Sequence, residues 1–308
     1  MNQIDEIKPM VSVVMITYNH EAYIAEAIEG VLMQVADFPI EFIIADDCSP
    51  DRTNEIVQNY INNHPKGKWI KYTRHPNNKG MMPNFIWALE QAKGKYIALC
   101  EGDDYWTDPL KLQKQVDFLE ENEEYVITYH DAKIIDESGS LISESKLPDL
   151  RKKDFTELEL KETKFILTLT MVFRNCINNY PSNLLKVYNG DMALISWLGN
   201  YGKGKYLGEI YPANYRKHDG GVWSKEDEVN RKVKSLNTPL ELLKLYKKKN
   251  DRRLETYFYG KLTQSINDLS NLPLSSEKKN NIVKFILKNL IHIGFRNGQY
   301  YLRNILLK

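Results

Sequence analysis

The chain has 308 residues, of which 42% are hydrophobic, and its formal net charge is +1. This length allows one large domain with an appendage, or two domains, and the hydrophobic share is enough to build a sizeable core. The near-neutral total charge gives no global signal for nucleic-acid binding, so we expect no nucleic-acid partner.

Charge is distributed unevenly along the chain. Residues 225–308 hold 18 Lys and Arg against 8 Asp and Glu, a net of +10, whereas residues 1–224 hold 24 against 33, a net of −9. This asymmetry predicts two regions with different roles, a domain over 1–224 and a basic C-terminal region over 225–308.

Cysteine usage and hydropathy bear on the compartment. Cys48, Cys100 and Cys176 form no CxxC pair, which favours reduced thiols over a disulfide framework. The N-terminal MNQIDEIKP has no apolar signal-peptide core, and no apolar run reaches the ~18–20 residues of a membrane span. We predict a cytoplasmic protein, with peripheral membrane contact as an open alternative.

Strand and helix patterns alternate through the first 121 residues. β-branched and apolar runs predict strands over 11–17, 40–45, 69–73 and 96–100, and periodic segments predict helices over 21–34, 50–62, 83–92 and 109–121. Ser49 is expected to cap the second helix, with Pro50 at its first position. This alternation is typical of an α/β fold with an open, mostly parallel sheet.

The pattern changes beyond residue 124. Further strands are expected over 125–135, 141–142, 165–174 and 205–216, with a short helix over 191–201. The polar segment 143–164 is predicted to be a surface excursion. Residues from 225 onward have the composition of Lys- and Leu-rich helices, which predicts a helical appendage.

Three polar clusters follow predicted strands, at residues 17–19, 46–47 and 101–104. Because ligands of open parallel sheets bind at the carboxyl ends of the strands, we expect these clusters to converge. No G-x-G-x-x-G follows the first strand and no P-loop sequence is present, so a bound phosphate needs another partner. Paired carboxylates suit Mn²⁺ or Mg²⁺, which would bridge the protein and a diphosphate.

These residues resemble family-2 glycosyltransferases of the GT-A fold. The resemblance covers about residues 10–225 and rests on VSVVMITYNHEAYIAEAIEGVLMQ, IIADDCSPD, NNKG and ALCEGDDYW, with weaker support from NGDMALISW and YRKHDGG. It implies a Rossmann-like mixed sheet flanked by helices and the inverting transfer of a sugar from a nucleotide-diphosphate donor, which we expect to be UDP-linked.

The resemblance also implies site residues. Positions matching the donor-nucleotide site are Thr17, Tyr18, Asn19, Glu21, Asp46, Asp47, Gly80 and Asp103. Asp103, Asp104 and His218 match positions that contact the metal, Mn²⁺ or Mg²⁺. Asp191 matches the catalytic base, and Trp106 is expected to stack on an acceptor sugar.

Other interpretations of single residues stay open. Asp191 could be a helix N-cap, Trp106 could fill the core, and His218 could be an inert loop residue. Two other functions are considered: a nucleotidyltransferase, for which TYNHEAY lacks a Gly-rich basic loop, and a sugar-nucleotide or glycan-binding module whose catalysis has lapsed. The acceptor is expected to be a glycan or a lipid-linked sugar, and the basic C-terminal region is either a solvated face or a surface that docks on anionic lipid.

Overall fold

The computed structural model describes residues 8–221, 227–272 and 275–307. The chain divides into two compact units, the first comprising Met1–Tyr180 and Ile195–His218 and the second Pro181–Leu194 and Asp219–Lys308. The predicted boundary between residues 224 and 225 lies outside the described residues and stays a prediction. Across the described ranges, no helix has both the length and the apolar content needed to cross a bilayer.

A seven-stranded sheet forms the centre of the first unit. Its strands are β1 (Val11–Thr17), β2 (Ile40–Asp46), β3 (Ile70–Arg74), β4 (Tyr96–Leu99), β5 (Tyr125–Tyr129), β8 (Val172–Arg174) and β9 (Lys203–Tyr206). Their order is β3-β2-β1-β4-β8-β5-β9. All neighbouring pairs are parallel except those of β8, which runs antiparallel to both β4 and β5. The expected α/β fold with a mostly parallel sheet is confirmed.

Three further strands form a small second sheet in the order β10-β6-β7. They are β6 (Ala132–Ile135), β7 (Leu141–Ser143) and β10 (Ala213–Arg216). The runs predicted as single strands over 125–135 and 205–216 are therefore each divided between the two sheets. Arg216 at the end of β10 and His218 just after it contact the loop that follows β4.

Helices flank the large sheet. They are α1 (Ile24–Leu32), α2 (Thr53–Asn63), α3 (Met81–Gln91), α4 (Lys111–Glu121) and the short α5 (Glu157–Lys161). Helix α3 packs against β1 and β2, and α4 packs against β5 and β8. Strand β1 lies at the centre of this core, where Val11, Val13 and Met15 are fully buried.

Other local expectations were also wrong. The strand predicted over 165–174 is confined to β8, Val172–Arg174. Helix α2 begins at Thr53 rather than Pro50, because Asp51 accepts the Thr53 N–H while Ser49 Oγ accepts a hydrogen bond from the backbone of another loop. Helix α4 likewise begins at Lys111, two residues after the predicted Pro109. The polar segment 143–164 is more than a surface excursion.

Apolar side chains anchor that polar segment to the first unit. Leu147, Phe155 and Leu160 are almost fully buried, and the Phe155 ring stacks on Tyr129 with ring centroids 5.7 Å apart. The polar composition of the segment concealed these anchors, since three well-spaced apolar residues produce no regular period.

The second unit is helical in its described residues beyond Asp219. It contains α7 (Glu228–Ser235), α8 (Asn237–Lys248), α9 (Arg252–Ser270), α10 (Ser276–Lys288), α11 (Leu290–Ile293) and α12 (Phe295–Leu307). Helices α8 and α9 pack along each other, and Tyr246 and Phe258 stack between them. Helix α6 (Gly190–Leu198) begins in this unit and ends in the first. The predicted helical appendage is confirmed.

Candidate active site

Three loops meet at the carboxyl edge of the large sheet. The register pairs Thr17 with Asp46, the last residues of β1 and β2. Asp47 N–H donates to the Thr17 carbonyl at 3.0 Å, and Gly102 N–H donates to the Ile16 carbonyl at 3.1 Å. The loops after β1, β2 and β4 therefore converge, as the parallel arrangement predicts.

The Asp46 carboxylate is fully buried and bound by neighbours within the chain. One oxygen accepts the Ser49 N–H at 2.8 Å, and the other accepts the Tyr72 hydroxyl at 2.7 Å, with Arg74 Nε 3.8 Å away. The hydrogen bond to Asp46 and the loss of hydration raise the pKa of Tyr72 far above its ordinary value, burial being the larger cause. The role of Asp46 toward a nucleotide base stays a prediction.

Asp47 organises the loop between β3 and α3. Its two carboxylate oxygens accept the N–H groups of Lys79 at 2.7 Å and Gly80 at 2.9 Å. Gly80 has φ of +86°, a left-handed conformation that glycine adopts without strain. Asp47 therefore fixes the backbone at Gly80, and the passage of this loop close to a nucleotide sugar stays a prediction.

The loop after β1 is tied to the loop after β2 by hydrogen bonds from backbone N–H groups to side-chain oxygens. Asn19 turns the chain with φ of +60°, and its N–H donates to Ser49 Oγ at 2.9 Å. Glu21 N–H donates to Asp51, while the Glu21 carboxylate accepts the Arg52 N–H, each at 2.9 Å. Tyr18 between these contacts is 44% exposed, which leaves its ring available to a ligand.

Asp103 lies between two imidazoles. Its Oδ2 is 3.0 Å from His218 Nε2 and 3.8 Å from His20 Nε2. Burial disfavours the charged form of Asp103, but the two histidines outweigh that effect and hold its pKa below the ordinary value. Asp103 is thus an ionised carboxylate with imidazole nitrogens beside it.

Asp104 has a different environment from its neighbour. It is 3% exposed, and its Oδ1 accepts the Arg216 N–H at 2.8 Å. Burial, followed by the charges of Asp103 and Glu101, raises the pKa of Asp104 well above its ordinary value. This carboxyl supports the loop from beneath, and its predicted contact with a metal stays a prediction.

Gly102 allows the loop after β4 to approach the loop after β1. A Cβ atom at this position would lie 2.7 Å from Thr17 Oγ1 and 2.9 Å from His20 Nδ1. Such distances are shorter than any relaxed contact, so only glycine brings Asp103 this close to His20.

The donor set fits a divalent cation. Asp103, His20 and His218 each offer one ligand atom, and the three atoms lie within 4.8 Å of one another. Carboxylate oxygen and imidazole nitrogen both ligate first-row transition metals, and several coordination positions would stay open for other ligands.

Trp106 lies beneath the acidic loop. It is 1% exposed, its indole N–H donates to the Leu169 carbonyl at 2.7 Å, and the Lys111 ammonium lies 4.1 Å from a ring centroid. A ring this deeply buried presents no face to a sugar. The acceptor role of Trp106 stays a prediction. The burial of the indole in the core does not support it.

Asp191 lies in the second unit, at the start of α6. It is half-buried, and its carboxylate accepts the adjoining Met192 N–H at 2.7 Å. Its role as a catalytic base stays a prediction.

Sequence reasoning missed three residues that shape this edge. His20 joins the cluster around Asp103, and Arg74 lies beside Asp46. Arg216 is 3% exposed and bonds the Asp103 carbonyl, the Asp104 carboxylate and Glu26. The available signals were weak: His20 follows the quoted Thr-Tyr-Asn run, and Arg216 lies two residues before His218.

Known proteins resemble this chain in sequence. The sequence pattern of the family described as Glycosyl transferase family 2 matches residues 12–179, more than half of the chain. The chain belongs to glycosyl transferase family 2. An uncharacterised Mycobacterium tuberculosis protein is 38% identical over 215 residues, which are 69% of this chain and 60% of that protein. An uncharacterised glycosyltransferase of Methanocaldococcus jannaschii is 32% identical over 156 residues, 50% of this chain and 52% of its own length.

Solved structures agree with the fold. The crystal structure of Staphylococcus aureus TarS 1–349 with UDP aligns with a TM-score of 0.53 at 20% identity, covering 91% of this chain and 72% of TarS 1–349. The mannosyltransferase PcManGT from Pyrobaculum calidifontis, in complex with GDP-Man and Mn²⁺, aligns with a TM-score of 0.58 at 15% identity, covering 98% and 87%. The expected family and GT-A fold are confirmed. The chain spans about three-fifths of the length of the mycobacterial relative.

Proposed function

We propose that this family-2 glycosyltransferase inverts the anomeric centre as it moves a sugar from a nucleotide-diphosphate donor to a hydroxyl group. The acceptor is a glycan or a lipid-linked sugar, and the product is a surface polysaccharide or similar glycan. The observation that carries the proposal is the meeting of Asp103, His20 and His218 with the loops after β1 and β2, at the edge where such sheets bind ligands.

We infer that the donor nucleotide is UDP. Asp46 and Arg74 together present an acceptor and donors within 3.8 Å of each other, and Tyr72 lies beside them. An N–H next to a carbonyl, as in uracil or guanine, complements such a pair, whereas the amino edges of cytosine and adenine do not. For a base to reach Asp46, the Tyr72 hydroxyl has to move aside. UDP in TarS and GDP-Man in PcManGT are both compatible with this pairing.

The reaction needs a base and a stabilised leaving group. Asp191 is the proposed base: its carboxylate takes the proton of the acceptor hydroxyl as the new C–O bond forms and the anomeric C–O bond to the diphosphate breaks. Attack from the face opposite the leaving group inverts the anomeric carbon. The electron pair of the broken bond leaves with the nucleoside diphosphate.

A divalent cation, Mn²⁺ or Mg²⁺, is the proposed cofactor. Asp103, Asp104 and His218 were the expected ligands, and the geometry of Asp103 and His218 suits this role. When bound, such an ion supplies Lewis-acid stabilisation of negative charge on the diphosphate. PcManGT in complex with GDP-Man and Mn²⁺ supports a divalent ion in this fold.

The Asp191→Asn variant tests the proposed base. Removal of general-base help lowers turnover by roughly 10²–10⁴-fold. Donor affinity, measured by calorimetry with UDP and a panel of UDP-sugars, should stay unchanged, because Asp191 is not assigned to the donor. Asp268→Asn, at an exposed position of α9, is the matched control and should keep wild-type turnover. Full turnover in Asp191→Asn would remove this residue from the mechanism.

The alternative of a binding module without catalysis makes a separate prediction. Such a module would bind nucleotide sugars yet release no nucleoside diphosphate with any donor. Measurement of diphosphate release from a panel of UDP-, GDP- and dTDP-sugars with Mn²⁺ or Mg²⁺ discriminates between the two functions. Release with any one donor excludes the module, and release with none in a protein that binds donor favours it.

We also propose that the basic helical region contacts anionic lipid. Leu287 is 53% exposed and Ile291 is 83% exposed, and the exposed Lys284 and Lys288 lie at neighbouring positions of the same segment. Each Lys near an anionic surface contributes about 1 kcal/mol, so a few such residues with two aliphatic side chains support weak, salt-sensitive binding. Co-sedimentation with phosphatidylserine vesicles should exceed that with phosphatidylcholine vesicles and should fall in Leu287→Ser/Ile291→Ser. Equal sedimentation in all cases would exclude the contact.

A further inference from the structure

The loop after β1 brings an additional imidazole to Asp103. His20 Nε2 is 3.8 Å from Asp103 Oδ2, and the His20 and His218 rings meet edge to face with centroids 6.1 Å apart. The ligand atoms of all three side chains lie within 4.8 Å of one another. Octahedral or tetrahedral ligands ~2.1 Å from a metal are separated by roughly 3–4 Å, so a small adjustment of the side chains suffices.

The position of His20 is fixed by its surroundings. The left-handed Asn19 turns the backbone, and the His20 N–H donates to Thr53 Oγ1 at 3.2 Å. His20 Nδ1 lies 3.2 Å from Thr17 Oγ1. When Nδ1–H donates to this hydroxyl, Nε2 carries the lone pair and lies 3.8 Å from Asp103 Oδ2, as in metal-binding histidines whose other nitrogen is held by a partner.

We propose that His20 is a ligand of the cation together with Asp103 and His218. Two imidazole nitrogens and one carboxylate oxygen then form the site, with the remaining positions open to diphosphate oxygens and water. Imidazole favours first-row transition metals, whereas Mg²⁺ prefers an all-oxygen environment. The site therefore binds Co²⁺ and Mn²⁺ more tightly than Mg²⁺, with Co²⁺ the tighter of the first two.

The role of the cation in this inference rests on the proposed function. The inference goes beyond that function because it names His20 as a ligand and states a preference among metals. A purely structural cluster, in which the histidines only neutralise Asp103, makes the opposite prediction. It would bind no cation, and replacement of His20 would change stability without changing metal selectivity.

The test uses the full chain, stripped of metal with a chelator and studied without nucleotide. Isothermal titration calorimetry with Co²⁺, Mn²⁺ and Mg²⁺ gives the affinities, and visible absorption of bound Co²⁺ reports nitrogen ligation. We expect His20→Gln to weaken Co²⁺ and Mn²⁺ binding at least ~10-fold, with a smaller effect on Mg²⁺. His20→Glu, which supplies oxygen in place of nitrogen, should shift the preference toward Mg²⁺ and alter the Co²⁺ spectrum.

His64→Gln is the matched control, because His64 is half-buried in the same unit and lies outside the cluster. It should leave affinities and spectrum unchanged. Wild-type Co²⁺ affinity in His20→Gln, an unchanged preference in His20→Glu, or no cation binding by the wild-type chain would each overturn the proposal. Diphosphate release from nucleotide sugars, measured separately on the wild-type chain, decides the transferase function independently of these outcomes.

Discussion

Two pairs of adjacent aspartates look alike in the sequence and differ in the structure. After β2, Asp46 and Asp47 direct their carboxylates at protein donors: Ser49 and Tyr72 for the first, two backbone N–H groups for the second. After β4, Asp104 is likewise bound to a backbone N–H, whereas Asp103 faces two imidazoles.

The difference lies in the partners of each carboxylate. Asp46, Asp47 and Asp104 accept N–H or O–H groups of the chain, whereas Asp103 lies beside two imidazoles that could share a cation with it. A carboxylate whose oxygens accept N–H and O–H groups has already replaced its hydration, so its removal affects folding first. A carboxylate beside imidazoles keeps bonding capacity for a ligand.

Exchange of one aspartate in each pair gives the largest expected contrast. Asp103→Asn should reduce cation affinity and transferase turnover by about 100-fold or more, since a ligand is lost. Its free energy of unfolding should stay within about 1 kcal/mol of wild type, because the side chain is 21% exposed and its contacts are few. Calorimetry with Mn²⁺ and urea unfolding measure the two effects.

Asp46→Ala should show the reverse balance. The change leaves the buried Ser49 N–H and the Tyr72 hydroxyl without their acceptor, and it should lower the free energy of unfolding by about 2–3 kcal/mol. The affinity for Mn²⁺ in the absence of nucleotide should persist in the folded fraction. Equal destabilisation by Asp103→Asn and Asp46→Ala would show that Asp103 contributes to stability as much as Asp46 does.

A smaller effect is expected from Gly102→Ala, which pushes the loop after β4 away from Thr17 and His20. The added methyl group should cost about 1–3 kcal/mol of stability and weaken Mn²⁺ binding in parallel, since the cluster opens. Gly260→Ala is the control, because a Cβ there meets nothing within 4 Å and the helix α9 should gain stability. Loss of stability with unchanged Mn²⁺ affinity would separate the glycine from the site.

The smallest effect concerns pH and a histidine outside both loops. His130 is buried, and burial, with a smaller contribution from Lys111, lowers its pKa to about 3. Below pH 6.5, the ordinary pKa of histidine, His130 binds a proton in the unfolded chain but not in the folded chain. Stability is therefore lost as pH falls from 6.5 toward 3. We expect a slope of up to ~1 kcal/mol per pH unit from this residue.

His130→Phe should flatten this part of the curve, as measured by urea unfolding between pH 7 and pH 4.5. The difference in slope between the two proteins isolates the core histidine, because the titrations of Asp103 and Asp104 are common to both proteins. An unchanged slope would assign the acid sensitivity to other groups.

Much of the fold was predictable because the hydrophobic patterns that indicate strands and helices are local in the sequence. The run over 11–17 alternates with a helix and further apolar runs, and the structure places β1 at Val11–Thr17 as expected. Cap positions were less predictable, since Ser49 bonds Asn19 across 30 residues instead of capping its own helix. The anchors Phe155 and Leu160 were hidden because isolated apolar residues in a polar segment produce no regular period.

For the candidate site, the sequence alone determined which loops carry the polar residues and, through its resemblance, the family. Only the tertiary structure decided which side chain faces which: Asp103 toward His20 and His218, Asp104 toward Arg216, and Trp106 into the core. The physical reason is that strand ends are fixed by local hydrophobic pattern, whereas the environments of Asp103 and Asp104 depend on His20, Arg216 and His218, which lie more than 80 residues away along the chain.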